Sequence, residues 1–319
     1  MHPISMKHLR YFDALAHHQH FRRAAEACAI SQPALSTQVK ELEDILGAPL
    51  VERGARQIRL TSLGEAFALR VRDILRSVDE LADLARAAHG PLVGRLRLGV
   101  IPTVAPYLLP TIVKTLAQHC PGLDLRPREA VTQKLVADLM ESRLDTAIVA
   151  LPLAQPFLSE APLLDEAFVL VRPRADAKKP VPSAARLREM RLLLLEEGHC
   201  FRDQAISFCK LSRPLPRHLM EGSSLATLVQ MVGAGIGVTL IPEMAVPIET
   251  RSAPVAVAQL ARPRPSRTIG MVWRKTSPLA DQLAHIANHL RQAVSQGRPG
   301  AETTVPPAGG QGHDRRQVA

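Results

Sequence analysis

Aromatic side chains are scarce, at 3% of 319 residues. A binder that stacks single-stranded bases on exposed rings needs more of them, which excludes that class. Four cysteines are too few for a disulfide-stapled secreted scaffold. No run of about 18 apolar residues occurs, so neither a membrane span nor a membrane partner is expected. Met1 to Arg10 lacks the apolar stretch of a signal peptide. These absences point to the reducing cytoplasm, where a disulfide is transient and signalling rather than structural. The 12 histidines and four cysteines form no convincing HxxxH or CxxC set, so no metal and no other cofactor is expected.

What is present is an ordinary globular balance, 46% hydrophobic and 22% charged, over a length that suits about two domains. There are 40 Lys+Arg against 30 Asp+Glu, a net charge of +10 that suits a polyanionic partner. Residues 1–60 carry eight Lys+Arg against six Asp+Glu, so charge alone does not mark that region.

Its pattern does. Leu9, Phe12, Leu15 and Ala16 repeat at helical spacing, and Phe21 to Cys28 holds the small Ala24 and Ala25. Ser31 is a good N-cap and Pro33 suits a first turn. Leu35, Val39, Leu42 and Leu46 then line one helical face, and Gly47 ends the helix. Two short helices, a tight turn and a third capped helix predict a helix-turn-helix, and residues 48–60 a wing. With the apolar positions inward, Gln32, Ser36, Thr37 and Lys40 face out. Gln reads adenine edges, Ser and Thr reach bases or phosphates, and Lys neutralises phosphate. Ser31 and Pro33 open the same helix, and Arg22, Arg23, Arg53 and Arg56 flank it as backbone clamps. The expected partner is double-stranded promoter DNA.

Thr61 or Ser62 caps a long helix to about Ala88. Phe67, Val71, Ile74, Val78, Leu81, Ala85 and Ala88 give it an a/d seam that reads as pairing with a second copy. His89-Gly90-Pro91 breaks it. From Gly94 strands and helices alternate, which predicts a parallel α/β sheet. A second α/β lobe begins near Asp165. The chain divides into a head (1–62), a linker helix (63–90), an effector domain (91–296) and a disordered tail (297–319). Within the effector domain one lobe takes about 91–163 and 268–296, the other about 164–267. The fold class is an all-α winged head with a linker helix plus a two-lobed α/β domain with a crevice.

Phe21-Arg-Arg-Ala-Ala-Glu26, Ser31-Gln-Pro-Ala-Leu-Ser36, Lys40-Glu-Leu-Glu43, Leu46-Gly47 and Thr61-Ser-Leu-Gly64 resemble the head of the LysR-type transcriptional regulators. The resemblance implies a dimerising linker, homodimers or homotetramers on two half-sites, contact with RNA polymerase, and no enzymatic activity.

Cys200 and Cys209 follow the apolar strand Leu192–Leu195. Beyond the carboxyl end of a strand is where open α/β sheets bind ligands. His199 and Arg202 are neighbouring groups able to carry positive charge, and a helix starting here would favour a thiolate. Nine helical residues rise about 13.5 Å and leave the two side chains on opposite faces. A disulfide needs Cα atoms within about 7 Å, so bonding them would require local refolding. Packing is the other reading of each cysteine, and the expected role of Cys28 and Cys120. A Cys200–His199 nucleophile pair is awkward, because adjacent residues point apart.

Gly198-His-Cys-Phe-Arg-Asp-Gln204 with Phe208-Cys209, Ile101-Pro-Thr-Val104, Pro106-Tyr-Leu-Leu-Pro110 and Leu163-Leu-Asp-Glu166 resemble the OxyR-type peroxide sensors within that family. The resemblance implies that hydrogen peroxide oxidises Cys200 to a sulfenic acid and that Cys209 resolves it to a disulfide, controlling antioxidant genes. Thr103, Thr132 and His199 would then hold peroxide and its water, with Arg202 and Asp203 shaping the site. Thr103 and Thr132 read equally well as helix N-caps. A LysR-type regulator answering to a small organic acid between the lobes is the alternative.

Overall fold

The computed structural model describes residues 4–52, 58–87, 92–211 and 220–296. Arg53, Arg56, the break at His89-Gly90-Pro91 and the tail from Gly297 lie outside the described residues.

Helices α1 (Met6–His18), α2 (Phe21–Ala27) and α3 (Gln32–Leu46) close over Phe12, Leu15, Leu35 and Leu42, all fully buried. Ser31 caps α3, its Oγ accepting from the Ala34 N–H at 3.3 Å. The wing strands β1 (Val51–Glu52) and β2 (Arg59–Leu60) pair antiparallel. Buried Glu43 pins them: its Oε1 accepts from the Leu50 and Val51 N–H groups at 2.7 and 3.1 Å.

Thr61 caps α4 (Ser62–Ala87), accepting from the Gly64 N–H at 3.0 Å. A Cβ at Gly64 would lie 2.1 Å from the Leu50 carbonyl oxygen, so only glycine lets wing and helix meet. The expected seam divides at this junction. Val71 is buried in the head, and Phe67 packs edge-on against Phe12 with ring centroids 5.5 Å apart. Farther along, Ile74, Leu81 and Leu84 stand exposed.

The effector region opens with β3 (Gly94–Val100), α5 (Ala105–His119), β4 (Leu123–Glu129), α6 (Thr132–Met140) and β5 (Thr146–Leu151). A 16-residue strand β6 (Leu158–Pro173) leads to α7 (Ala184–Glu189), β7 (Leu192–Leu195), α8 (Cys200–Phe208), β8 (Met220–Gly222), α9 (Leu225–Gly233), β9 (Val238–Pro242), α10 (Val246–Glu249) and β10 (Val255–Gln259). Strand β11 (Ser266–Arg274) returns, and α11 (Ala280–Gln296) ends the described chain.

The sheet is mixed rather than parallel, in the order β4-β3-β5-β11-β6-β9-β7-β8 with β10 on β6. Each β-α-β unit stays parallel: β3 with β4 and β5, and β7 with β8 and β9. A chain that leaves one lobe and comes back must cross in both directions. β6 and β11 are those crossings, and they pair antiparallel over residues 158–167. β6 therefore starts ahead of Asp165, the expected beginning of the second lobe, and runs through it. Two separate cores result: one under β3, β5 and β11 with α5, α6 and α11, the other under β6, β7 and β9 with α8 and α9.

Candidate functional site at the lobe junction

Strand β7 ends at Leu195, and a short turn starts α8 at Cys200. Gly198 makes that turn at φ +94°, a conformation costly for any residue with a Cβ. A Cβ there would sit 3.9 Å from both methyls of Val131, the residue before α6. The start of α8 in one lobe thus abuts the start of α6 in the other. An ion-paired hub holds α6 in place, where buried Asp138 meets Arg128, Lys134 and Arg143 at 2.8–3.1 Å. Burial alone would raise the Asp138 pKa, but hydrogen bonds from Arg143 and Lys134 outweigh it and hold the carboxyl below its ordinary value.

Cys200 is half-buried at the first helical position and packs against the first lobe's core. A negative charge there meets the favourable end of the α8 dipole. Cys209 caps the other end of α8 and is fully buried in the second lobe's core. Burial pushes its thiol up to about 11, against a smaller opposing effect of Arg188. Both cysteines are free, and the helix between them is continuous. Nine helical residues put them about 13.5 Å apart along the axis, on opposite faces.

The surrounding residues depart from the expected pair of cations. His199 is half-buried, and desolvation lowers its pKa from 6.5 despite the raising influence of Glu196 and Glu129. At neutral pH it is an uncharged donor and acceptor. Arg202 is turned to the strand ends: it donates to the Leu195 carbonyl at 2.6 Å and pairs with Glu221 at 2.7 Å. Asp203 is exposed in the first turn of α8.

Neither threonine caps a helix. Val104 and Val131 occupy the N-cap positions of α5 and α6. Buried Thr103 instead accepts at Oγ1 from Arg267 Nη1 at 2.7 Å, and its carbonyl accepts from Nη2 at 3.0 Å. The acceptor side of that hydroxyl is engaged by a cation, which leaves its proton to be donated elsewhere. Thr132 Oγ1 is buried without a hydrogen-bond partner in the protein. Such an atom is costly unless it serves a ligand or water.

On the head, Gln32, Pro33, Ser36, Thr37 and Lys40 are exposed along α3, as are Arg22 and Arg23 on α2. Three hydrogen-bonding groups on this face are already engaged. Ser31 serves as cap, the Thr37 hydroxyl donates to the Pro33 carbonyl at 3.0 Å, and Arg22 pairs with Glu26 at 3.1 Å.

Residues 6–65 match the model of the bacterial regulatory helix-turn-helix proteins of the lysR family, and residues 89–295 that of the LysR substrate binding domain. A Streptomyces viridosporus protein described as a probable hydrogen peroxide-inducible genes activator is 43% identical over 91% of this chain and 94% of its own. The DNA-binding transcriptional dual regulator OxyR of Escherichia coli K12 is 41% identical over 90% and 95%. The chain belongs to the OxyR-type regulators of the LysR family. Its fold follows theirs. Full-length OxyR from Pseudomonas aeruginosa, carrying a cysteine-to-aspartate change, superposes with a TM-score of 0.70 at 36% identity over 91% of this chain and 96% of that one. A hydrogen-peroxide-bound OxyR cysteine mutant from Corynebacterium glutamicum gives 0.62 at 33% identity over 92% and 94%.

Sequence reasoning missed Arg267. It is buried, donates to Glu166 at 2.7 Å and to Thr103, and lies 5.4 Å from the Phe201 ring centroid. It ties β11, β6, the start of α5 and α8 into one network. A lone Arg on a late strand carries no spacing signal. Its only trace was Glu166 in the Leu163–Glu166 motif. Among the described residues no three His, Cys, Asp or Glu side chains converge on a metal site, and no helix is long and apolar enough to cross a membrane.

Proposed function

We propose that this chain is a peroxide-responsive transcription regulator in which Cys200 is the peroxidatic and Cys209 the resolving cysteine. The Cys200 thiolate attacks one peroxide oxygen. An S–O bond forms, the O–O bond breaks, and the leaving hydroxide takes up the proton the thiol released, giving sulfenic acid and water. The Cys209 thiol then attacks the sulfenic sulfur, forming the disulfide and a second water. Thr103, Thr132 and His199 are the proposed peroxide site; neutral His199 and the Thr103 hydroxyl, engaged by Arg267, can donate to the leaving oxygen. Arg202 and Asp203 are proposed to govern how readily α8 lets go.

One observation carries the reading: an intact α8 holds Cys200 against one core and Cys209 inside the other. Bond formation must unwind that helix, and the unwinding is the signal. Gln32, Ser36, Thr37 and Lys40 of α3 would read promoter DNA, with Ser31 and Pro33 ordering the helix start. Arg22, Arg23, Arg53 and Arg56 would hold the phosphates. Paired α4 helices would build a homodimer, two of them a tetramer. Partnership with RNA polymerase, control of antioxidant genes and a cytoplasmic setting belong to the same reading. The domain limits proposed are 1–62, 63–90 and 91–296. A small organic acid as effector finds little support, since Glu166 already neutralises the buried Arg267.

The test is footprinting on the protein's own upstream DNA, with and without hydrogen peroxide. The parent protein should change its footprint on oxidation, and C200S should bind DNA but give one unchanging footprint. A C200S protein that still responds fully overturns the assignment.

A further inference from the structure

Residues 172–191 hold seven Lys+Arg against two Asp+Glu, a net of +5 and half the chain's +10, whereas residues 1–60 contribute only +2. The structure places this surplus on the second lobe, where the chain passes from the end of β6 through α7 to the start of β7. Arg174, Lys178, Lys179, Arg186, Arg188 and Arg191 are all exposed there. Both acids are neutralised within the segment, Asp176 by Lys179 at 2.6 Å and Glu189 by Arg186 at 2.5 Å. Arg174, Lys178, Arg188 and Arg191 have no carboxylate partner among the described residues. The segment that presents them is pinned. Buried Arg172 donates to the carbonyls of Ala177, Lys179 and Pro180 at 2.9, 2.8 and 3.3 Å. Ser183 caps α7, its Oγ accepting from the Arg186 N–H at 3.3 Å.

We infer that this face of the second lobe binds the phosphate backbone of the DNA that the head brings to it, as a second contact that reads no bases. The inference takes from the function proposed above only that the head carries the chain to DNA. Composition selects the partner. The segment has no aromatic residue, and Val181 is its one exposed large apolar side chain. Protein interfaces are anchored by aromatic and Met side chains and are poor in Lys. A phosphate backbone is held by Lys and Arg without an apolar anchor, and each neutralised phosphate releases condensed counterions. Four unneutralised cations on a pinned segment fit such a row of charges.

The test titrates the full chain against its own upstream DNA at a series of salt concentrations. In R174Q/K178Q/R191Q the affinity should fall at least about tenfold, and the slope of log affinity against log salt should shrink by about 2 to 3. R174K/K178R/R191K, which keeps the charges, should retain the parent's slope. K114Q/K275Q/R291Q removes the same charge from exposed positions elsewhere and should change the slope by less than about 1. A parental slope in R174Q/K178Q/R191Q overturns the inference; if transcription falls all the same, the patch serves an acidic protein instead. A change of the same size in either of the other two variants also overturns it. A parent protein that does not bind the fragment overturns both this contact and the DNA-reading head.

Discussion

At the scale of single residues, the site separates its two thiols by environment rather than by residue type. Burial holds Cys209 as a thiol, with a pKa of about 11, until α8 opens; Cys200 sits at a helix start between two lobes. The order of events follows, because a buried neutral thiol is a poor target for peroxide. His199 sets a pH limit. Its folded pKa lies below 6.5, so the unfolded chain binds the proton more readily. Its contribution to stability is complete above about pH 6.5 and is lost as pH falls. H199Q should therefore lose less stability than the parent between about pH 7 and 5, measured by denaturant melts at each pH. Equal losses would show that this imidazole is not the responsible group. Spacing and neighbours made Cys200 a candidate beside a packing reading, and the family resemblance supplied its role. They could not give Arg202's direction, because an arginine beside a cysteine can aim at the sulfur or, as here, at a strand-end carbonyl.

At the scale of elements, α8 is held shut by that same arginine. Arg202 is buried and joins α8 to Leu195 of β7 and Glu221 of β8. Removing it leaves a carbonyl unsatisfied, a loss of about 1–3 kcal/mol. R202A should raise hydrogen exchange of the α8 amides about tenfold or more and speed disulfide formation, both read by mass spectrometry. Unchanged exchange would mean that the Phe201, Ala205 and Ile206 packing holds the helix alone. Most elements were legible in the sequence because their apolar spacing is local: α3 between Ser31 and Gly47, and β7 as four leucines. The sheet's mixed direction was not. Strand direction depends on where the chain returns, and nothing within Ser266–Arg274 says that it lies between β5 and β6. Glu43 was unreadable for a like reason, since its acceptors matter only once β1 folds over α3.

At the scale of the whole molecule, α4 divides its apolar residues between two tasks. Val71 and Ala68 close the head, while Ile74, Leu81 and Leu84 are left exposed on a long helix. The periodicity showed one seam; the tertiary fold uses its first turns internally. If the exposed part pairs two copies, L81E should yield monomers by sedimentation and weaken promoter binding at least tenfold, because two heads no longer bind together. A dimer of undiminished affinity would place the interface elsewhere. The central claim is that oxidation is read out as unwinding of one helix. The most direct measurement is hydrogen exchange across residues 200–209 before and after peroxide, with the cysteine linkage mapped in the same sample. The account predicts a protected segment when reduced, and a Cys200–Cys209 linked peptide with that protection lost when oxidised. A linked peptide whose amides stay as protected as before would contradict it.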